Sequence, residues 1–266
     1  MIVLITNKET YMLHLENSVT IVTGGTSGIG YAISKLFTEF GAKVVAASSK
    51  QESVDKTMRE VGCDGLAVDL SRREECRRLV DYTLAKYGRV DILINNAGIQ
   101  HVCKLEEFPE EQWDFMMRLM LDAPFYLTKY CIPSMKENHW GRIINIGSIQ
   151  GLVASPFKSC YVTAKHGLNG LTMASALELG EYGITVNSIC PAYVDTPLVQ
   201  KQIAAQAKEH NIKEDEVITD IMLRNSAIKK LLDPVDVAKV ARFLCSDGAA
   251  MITGTAIPVD GGWTAN

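Results

Sequence analysis

The chain has 266 residues, 47% of them hydrophobic and 22% charged, with a formal net charge of −4. That is enough apolar material for one sizeable core in a soluble globular protein, and the acidic balance argues against a nucleic-acid-binding surface. No apolar run approaches the roughly 18 residues of a membrane span.

In chain order, Met1–Ile5 is too short for a signal-peptide core and has no basic flank. Residues 1–14 read as an N-terminal extension or a first strand fragment, and 15–266 as one catalytic domain. The first strand is Val19–Val22, running into Thr23-Gly-Gly-Thr-Ser-Gly-Ile-Gly30. Ile29, Ala32, Ile33, Leu36, Phe37 and Phe40 then recur at helical spacing until Gly41 stops the helix. Lys43–Ala47 is a second strand, and the rhythm returns at Gly65–Val68, Val90–Ile94, Arg142–Ile146 and Thr185–Ile189. These runs are short, rich in β-branched residues and apolar on both faces, as strands buried between helical layers are. Alternation with helices predicts an α/β, doubly wound parallel sheet of Rossmann type with right-handed crossovers. Pro197–Asp233 is polar and helix-prone without a strand candidate, and its position predicts a helical lid over the site. Ala256–Val259, followed by Asp260-Gly-Gly-Trp263, reads as a last strand and a tight turn. Cys63, Cys76, Cys103, Cys131, Cys160, Cys190 and Cys245 are dispersed without a CxxC pair. They read as reduced thiols of a cytoplasmic protein, with no metal site.

Gly24, Gly28 and Gly30 lie between a strand and a helix, the context in which a glycine-rich segment binds a dinucleotide. Lacking Cβ atoms, they let a pyrophosphate approach the free amides and positive dipole end of the helix. The acidic residue that would meet the ribose hydroxyls of NAD at the end of the second strand is missing. Ser48-Ser49-Lys50 stands there instead, and Lys50 either meets a 2′-phosphate of NADP or is a solvated surface lysine. Asp69 either accepts from the adenine amino group or caps a helix with Leu70 and Ser71.

Tyr161 and Lys165 are four residues apart, on one face of a helix. A phenol titrates near 10, and bringing it to about 7 takes roughly 4 kcal/mol of differential stabilisation. A neighbouring ammonium supplies stabilisation of that sign, so Tyr161 is expected to serve as acid/base for a secondary alcohol or ketone while hydride moves. Ser148, just past the Arg142–Ile146 strand, sits where α/β sheets place ligand groups and is expected to hydrogen-bond the substrate oxygen.

These residues together resemble the short-chain dehydrogenase/reductases over essentially the whole chain from about Leu15. The matching elements are Thr23-Gly-x-x-x-Gly-x-Gly30, Asn95-Asn-Ala-Gly98, Ser148, Tyr161-x-x-x-Lys165, and Pro191 and Thr196 flanking Ala192-Tyr-Val-Asp195. The resemblance implies that Gly24, Thr26, Ser27, Gly28, Ile29 and Gly30 hold the cofactor, with Ser48, Asp69, Asn96, Ala97 and Gly98 around its adenosine. Pro191, Val194 and Thr196 would flank the nicotinamide, with Tyr161 and Lys165 touching it as well. It also implies a homotetramer formed through helices that include the Tyr161 segment.

Ala97-Gly-Ile-Gln-His101, Trp140–Ile146, Thr196–Ile203 and Val259-Asp-Gly-Gly-Trp263 are similar to D-3-hydroxybutyrate dehydrogenases, which use NAD. By that likeness the substrate is a short anionic hydroxy or keto acid. Gln100, Lys158 and Gln202 would meet its carboxylate, with Ser148, Gln150, Tyr161 and Tyr193 completing the site. Three positions depart from the pattern: Met120 replaces an asparagine, Gln150 a histidine and Tyr193 a tryptophan. The asparagine helps hold a water that links the lysine to solvent, so Met120 puts that proton relay in question. The alternatives are a reductase of another carbonyl, such as a sugar or 3-oxoacyl thioester, and a nucleotide-binding relative without turnover.

Overall fold

The computed structural model describes residues 15–210 and 212–265, so the Met1–Ile5 expectation lies outside the described residues. The strands are β1 (Val19–Thr23), β2 (Lys43–Ser48), β3 (Asp64–Ala67), β4 (Ile92–Asn95), β5 (Gly141–Ile146), β6 (Ile184–Pro191) and β7 (Ala256–Val259). They form one sheet in the order β3-β2-β1-β4-β5-β6-β7, every pair parallel. All seven candidates are present, with ends shifted by a residue or two. Val68, expected inside the third strand, follows β3 and still donates to the Ser48 carbonyl at 2.8 Å.

The helices are α1 (Gly28–Glu39), α2 (Gln51–Val61), α3 (Arg73–Tyr87), α4 (Glu110–Met117), α5 (Ala123–Glu137), α6 (Ser159–Leu179), α7 (Pro197–His210), α8 (Glu214–Glu216) and α9 (Pro234–Leu244). Successive strand residues point to opposite faces, and the core divides accordingly. Val22, Val44, Ala46, Ile94, Ile144 and Ile189 pack with Ile33 and Phe37 of α1 and Val237, Ala241 and Leu244 of α9. Their neighbours Ile21, Val45, Ala47, Leu93 and Ile143 pack with Leu79 of α3, Leu127 and Met135 of α5 and Leu179 of α6. Burial of both faces explains why these strands read as continuous apolar runs rather than alternating ones.

The order reverses between β1 and β4, and in open α/β sheets the ligand crevice lies at that point, beyond the strands' carboxyl ends. Polar bonds lock the strands together there. Thr23 Oγ1 accepts from the Asn96 and Ala97 amides at 2.8 and 3.0 Å and donates to the Ile94 carbonyl at 3.2 Å. Deeper in, Asn95 Nδ2 donates to Asn145 Oδ1 at 2.9 Å and Asn145 Nδ2 to Thr172 Oγ1 at 2.8 Å. This buried chain ties β4, β5 and α6, the elements that carry Ser148, Tyr161 and Lys165.

Two segments differ from simple helix. Arg118–Asp122, between α4 and α5, is a π-helical turn; such turns insert an extra residue and favour functional sites. Residues 197–233 are largely helical, as the sequence indicates, with Val217–Met222 also π-helical. Leu232 nevertheless makes a parallel bridge with Val194, so the stretch is not free of β pairing. Val199, Ile203, Val217 and Met222 form a small core of their own, against Tyr193 and Leu231.

Candidate active site

A cleft opens over the carboxyl ends of β1, β4, β5 and β6. At one end lies the turn between β1 and α1. Gly24 has φ +61°, and a Cβ there would lie 2.8 Å from Asn96 Nδ2. Gly30 is tighter still: a Cβ would sit 2.2 Å from the Gly24 carbonyl oxygen and 2.5 Å from Asn96 Nδ2. Any side chain would push the turn off the strand, so the glycines are demanded by close backbone approach. Ser27 at the α1 N-cap is extended and makes no side-chain cap, so its hydroxyl and the first amides of α1 remain available to an anion. Across the cleft, Thr196 lies where a Cβ on Gly28 would strike it, at 2.9 Å from Cγ2. This backbone cradle fits the pyrophosphate of a dinucleotide.

The catalytic candidates meet at the centre. Ser148 follows β5, and its Oγ accepts from the Gln150 amide at 3.1 Å. Tyr161 and Lys165 sit one turn apart near the start of α6 and face the same cleft. Lys165 Nζ donates to the Ile146 carbonyl at 2.7 Å and lies 5.6 Å from the Tyr161 ring centroid. Burial pulls the Lys165 amine down to about 8. Burial also pushes the Tyr161 phenol above its ordinary value, partly offset by its hydrogen bond with Ser148. The lowered phenol expected from Lys165 is thus not found in the protein alone. Desolvation disfavours charge on both side chains, and the ammonium is spent on a main-chain carbonyl.

Met120 stands where the resemblance would place a relay asparagine. It is buried in the π-helical turn with Met116, Cys160 and Ala164, against the Tyr161 ring. A Cβ on Gly98 would stand 3.5 Å from its sulfur. Met120 is therefore a packing residue behind the tyrosine, with no hydrogen-bonding group to offer Lys165.

The other end of the cleft is lined by polar side chains. Gln202 of α7 donates through Nε2 to Gln100 Oε1 at 2.6 Å, across the gap between α7 and the segment after β4. Gln150 Nε2 donates to Ser155 Oγ at 2.9 Å. Gln100 Nε2 and Gln150 Oε1 are buried and have no partner, a costly state unless a ligand meets them. Lys158 Nζ lies 5.8 Å from the Tyr193 ring centroid and meets no carboxylate among the described residues. Burial pulls its amine below the ordinary lysine value.

The structure thus gathers most of the expected residues on one cleft: Gly24, Ser27, Gly28 and Ile29, then Asn96, Ala97 and Gly98, then Pro191, Val194 and Thr196, with the central and polar groups just described. Thr26, Gly30, Ser48 and Asp69 do not line it. Gly30 acts from behind the turn. Asp69 is not the N-cap of α3, which is Arg72; its Oδ1 closes a local turn by accepting from the Ser71 amide and hydroxyl at 3.0 and 2.7 Å. Lys50, by contrast, takes the N-cap position of α2 with its side chain exposed. Sequence reasoning missed the Ile146 carbonyl, because a main-chain acceptor leaves no mark in residue type. It also missed Leu198 and Val199, apolar lining residues of α7, and Asn169, whose Nδ2 holds the Gly151 carbonyl at 2.9 Å beneath the serine turn.

Comparison with known proteins is consistent with this arrangement. A family profile described as enoyl-(acyl carrier protein) reductase matches residues 24–264. The chain is 46% identical to a D-beta-hydroxybutyrate dehydrogenase of Rhizobium meliloti (strain 1021), over 92% of this chain and 98% of that protein. It is 41% identical to the uncharacterized oxidoreductase YxjF of Bacillus subtilis (strain 168), over 94% and 100%. A D-beta-hydroxybutyrate dehydrogenase of Cupriavidus necator is 39% identical, over 94% and 99%.

Proposed function

Because the chain belongs to the short-chain dehydrogenase/reductase family of nicotinamide-dependent oxidoreductases, we propose that it interconverts 3-hydroxybutyrate and acetoacetate with NAD. One observation carries the substrate reading. Lys158 is a half-buried cation with no carboxylate beside it among the described residues, on the same cleft as two glutamines with unmet polar atoms. A buried charge needs a partner, and a short acid with a carboxylate two carbons from its carbinol supplies one. The names of two of the relatives above point to the same acid.

In this reading the substrate carboxylate sits between Lys158 and Gln100, whose free Nε2 donates to it, with Gln150 and Gln202 beside them and Tyr193 as a wall. That contact sets the carbinol against Ser148 Oγ and Tyr161 Oη. Tyr161 takes the hydroxyl proton as C3 becomes a carbonyl, and returns it in reduction. Ser148 donates to the substrate oxygen and holds it in place. Lys165, anchored on the Ile146 carbonyl, keeps positive charge near the phenol. The nicotinamide supplies the hydride acceptor at C3 and, when oxidised, a further positive charge favouring the phenolate. Gly24, Thr26, Ser27, Gly28, Ile29 and Gly30 hold its pyrophosphate. Asn96, Ala97 and Gly98 border the adenosine together with Ser48 and Asp69, while Pro191, Val194 and Thr196 flank the nicotinamide. NAD follows from the resemblance read in the sequence; Lys50, exposed just past β2, is the residue that would meet the 2′-phosphate of NADP.

Residues 15–266 would act as one catalytic domain, with 197–233 a lid over the site whose Gln202 is bonded to Gln100. The outward apolar side chains of α5 and α6, Phe125, Met173 and Leu177, support a homotetramer, testable by light scattering. The free thiols Cys63, Cys76, Cys103, Cys131, Cys160, Cys190 and Cys245 support a cytoplasmic location. Among the described residues no helix is long and apolar enough to cross a membrane.

The test is the initial rate of oxidation of D- and L-3-hydroxybutyrate with NAD and with NADP, followed by reduced-nicotinamide absorbance. Turnover of one enantiomer with NAD is expected. Silence on both, with turnover of sugars or 3-oxoacyl thioesters, would replace the substrate reading and leave the reaction class.

A further inference from the structure

Phe157 is one of three non-glycine residues with positive φ among the described residues, at +64°. The others, Asn17 and His139, belong to the residue types that tolerate this region, whereas a bulky aromatic there is an outlier. Its side chain is 54% exposed, so burial of the ring does not account for the backbone. The immediate surroundings do. Pro156 and Phe157 form the corners of a turn leading into α6, and proline followed by positive φ is the pattern of a type II turn, whose second corner ordinarily takes glycine.

The turn is held at both ends. Ser155 Oγ accepts from Gln150 Nε2 at 2.9 Å. The Phe157 carbonyl accepts from the Cys103 amide at 2.9 Å, three residues beyond Gln100. The next residue is Lys158, at the N-cap position of α6, whose amine enters the cleft. Turn 155–158 therefore joins the segments that carry Gln100, Gln150 and Lys158.

We propose that Phe157, held in the left-handed region, is a positioning residue: its backbone turn aims the Lys158 amine at the substrate carboxylate and fixes it relative to Gln100 and Gln150. Were φ negative, the peptide after Phe157 would rotate. Its carbonyl would leave Cys103, and Lys158 would enter α6 from another angle. The ring itself is dispensable; the dihedral is what the site uses. The proposal rests on the carboxylate reading of Lys158.

The experiment compares acetoacetate with its uncharged methyl ester as substrates for reduction, in the full-length enzyme. The variants are Phe157→Gly, Phe157→Asn, Phe157→Val and Lys158→Ala. Glycine and asparagine accept positive φ, whereas valine resists it. Phe157→Gly and Phe157→Asn are expected to keep the KM for acetoacetate within about threefold of the parent. Phe157→Val is expected to raise it tenfold or more, and to lose at least tenfold more kcat/KM on the acid than on the ester, as Lys158→Ala does. Equal losses on acid and ester in Phe157→Val, or a KM raised as much by glycine and asparagine, would overturn the positioning role. Should valine prevent folding, Phe157→Ala, which also disfavours positive φ, takes its place in the comparison with glycine and asparagine. A parent enzyme that treats acid and ester alike, with Lys158→Ala unchanged, would overturn the carboxylate reading itself and this proposal with it.

Discussion

The dinucleotide end of the cleft is made of backbone, and the polar groups behind its turn are bonded within the protein, while Ser27 and the first amides of α1 stay open to an anion. Thr23, Asn96 and Ala97 close on one another, and the glycines leave no room for a methyl group. The substrate end is made of side chains and is incomplete in its bonding. Gln100 Nε2 and Gln150 Oε1 are buried without partners, and among the described residues Lys158 meets no carboxylate. The first end fits a ligand shared by many enzymes, through sterics and peptide dipoles that hardly depend on residue type. The second is free to vary, and Gln150 and Tyr193 stand there in place of other residues without disturbing the frame. Thr23, Asn96 and Asn145 are bonded within the frame, whereas Gln100 Nε2 and Gln150 Oε1 at the substrate end are left open to a ligand.

Four substitutions would break or sharpen this contrast. Tyr161→Phe, between the two ends, should lower kcat by about 10²–10⁴-fold, the range for loss of a general acid/base. Affinity for NADH should be unchanged, as a fluorescence titration would show. Lys158→Ala should raise the KM for acetoacetate about 10- to 100-fold, the equivalent of losing a charged hydrogen bond. Gly30→Ala should weaken NADH binding or the fold by about 1–3 kcal/mol, as overpacking does, seen as a lower melting temperature or a higher Kd. An unaltered protein would show that the turn is looser than its 2.2 Å clearance implies.

The smallest expected effect concerns stability. Burial lowers the Lys165 amine from 10.5 to about 8, so charging it in the folded protein costs about 3 kcal/mol. The bond to the Ile146 carbonyl returns about 1 kcal/mol. Lys165→Met should therefore abolish turnover yet stabilise the protein by about 1–2 kcal/mol at pH 7. Below about pH 8 the lysine is charged in both states and the full penalty applies. Between 8 and 10.5 the unfolded chain binds the extra proton, so the parent gains stability as pH rises and the advantage of the variant shrinks. Urea melts at pH 7 and pH 10 would show the difference; a variant less stable at both would contradict it. In turnover, the raised phenol of Tyr161 makes oxidation faster as pH rises and reduction faster as it falls.

What could be read from the sequence follows the same division. The seven strands were legible because burial on both faces forces apolar β-branched runs, and Gly24, Gly28 and Gly30 because a turn that excludes Cβ admits little else. The i, i+4 spacing put Tyr161 and Lys165 on one helix face, and only the glycine turn and Ser148 beside them pointed that face at a cleft. The Ile146 carbonyl, the π-helical turn at Arg118–Asp122 and the positive φ of Phe157 were not, because each is a main-chain feature set by tertiary packing against local propensity. The fate of Met120 was likewise hidden: only the packing of Met116, Cys160 and the Tyr161 ring around it shows a wall rather than a relay. Asp69 was ambiguous for an opposite reason, since a local turn and a ligand contact ask for the same side chain.

Calorimetric titration of the parent and Lys158→Ala, first with NADH and then with acetoacetate analogues on the NADH complex, tests the central claim most directly. The account expects the same NADH affinity for both proteins and a loss of about tenfold or more in affinity for the anionic ligand alone. Equal weakening of both ligands, or unchanged binding of the anion, would contradict it.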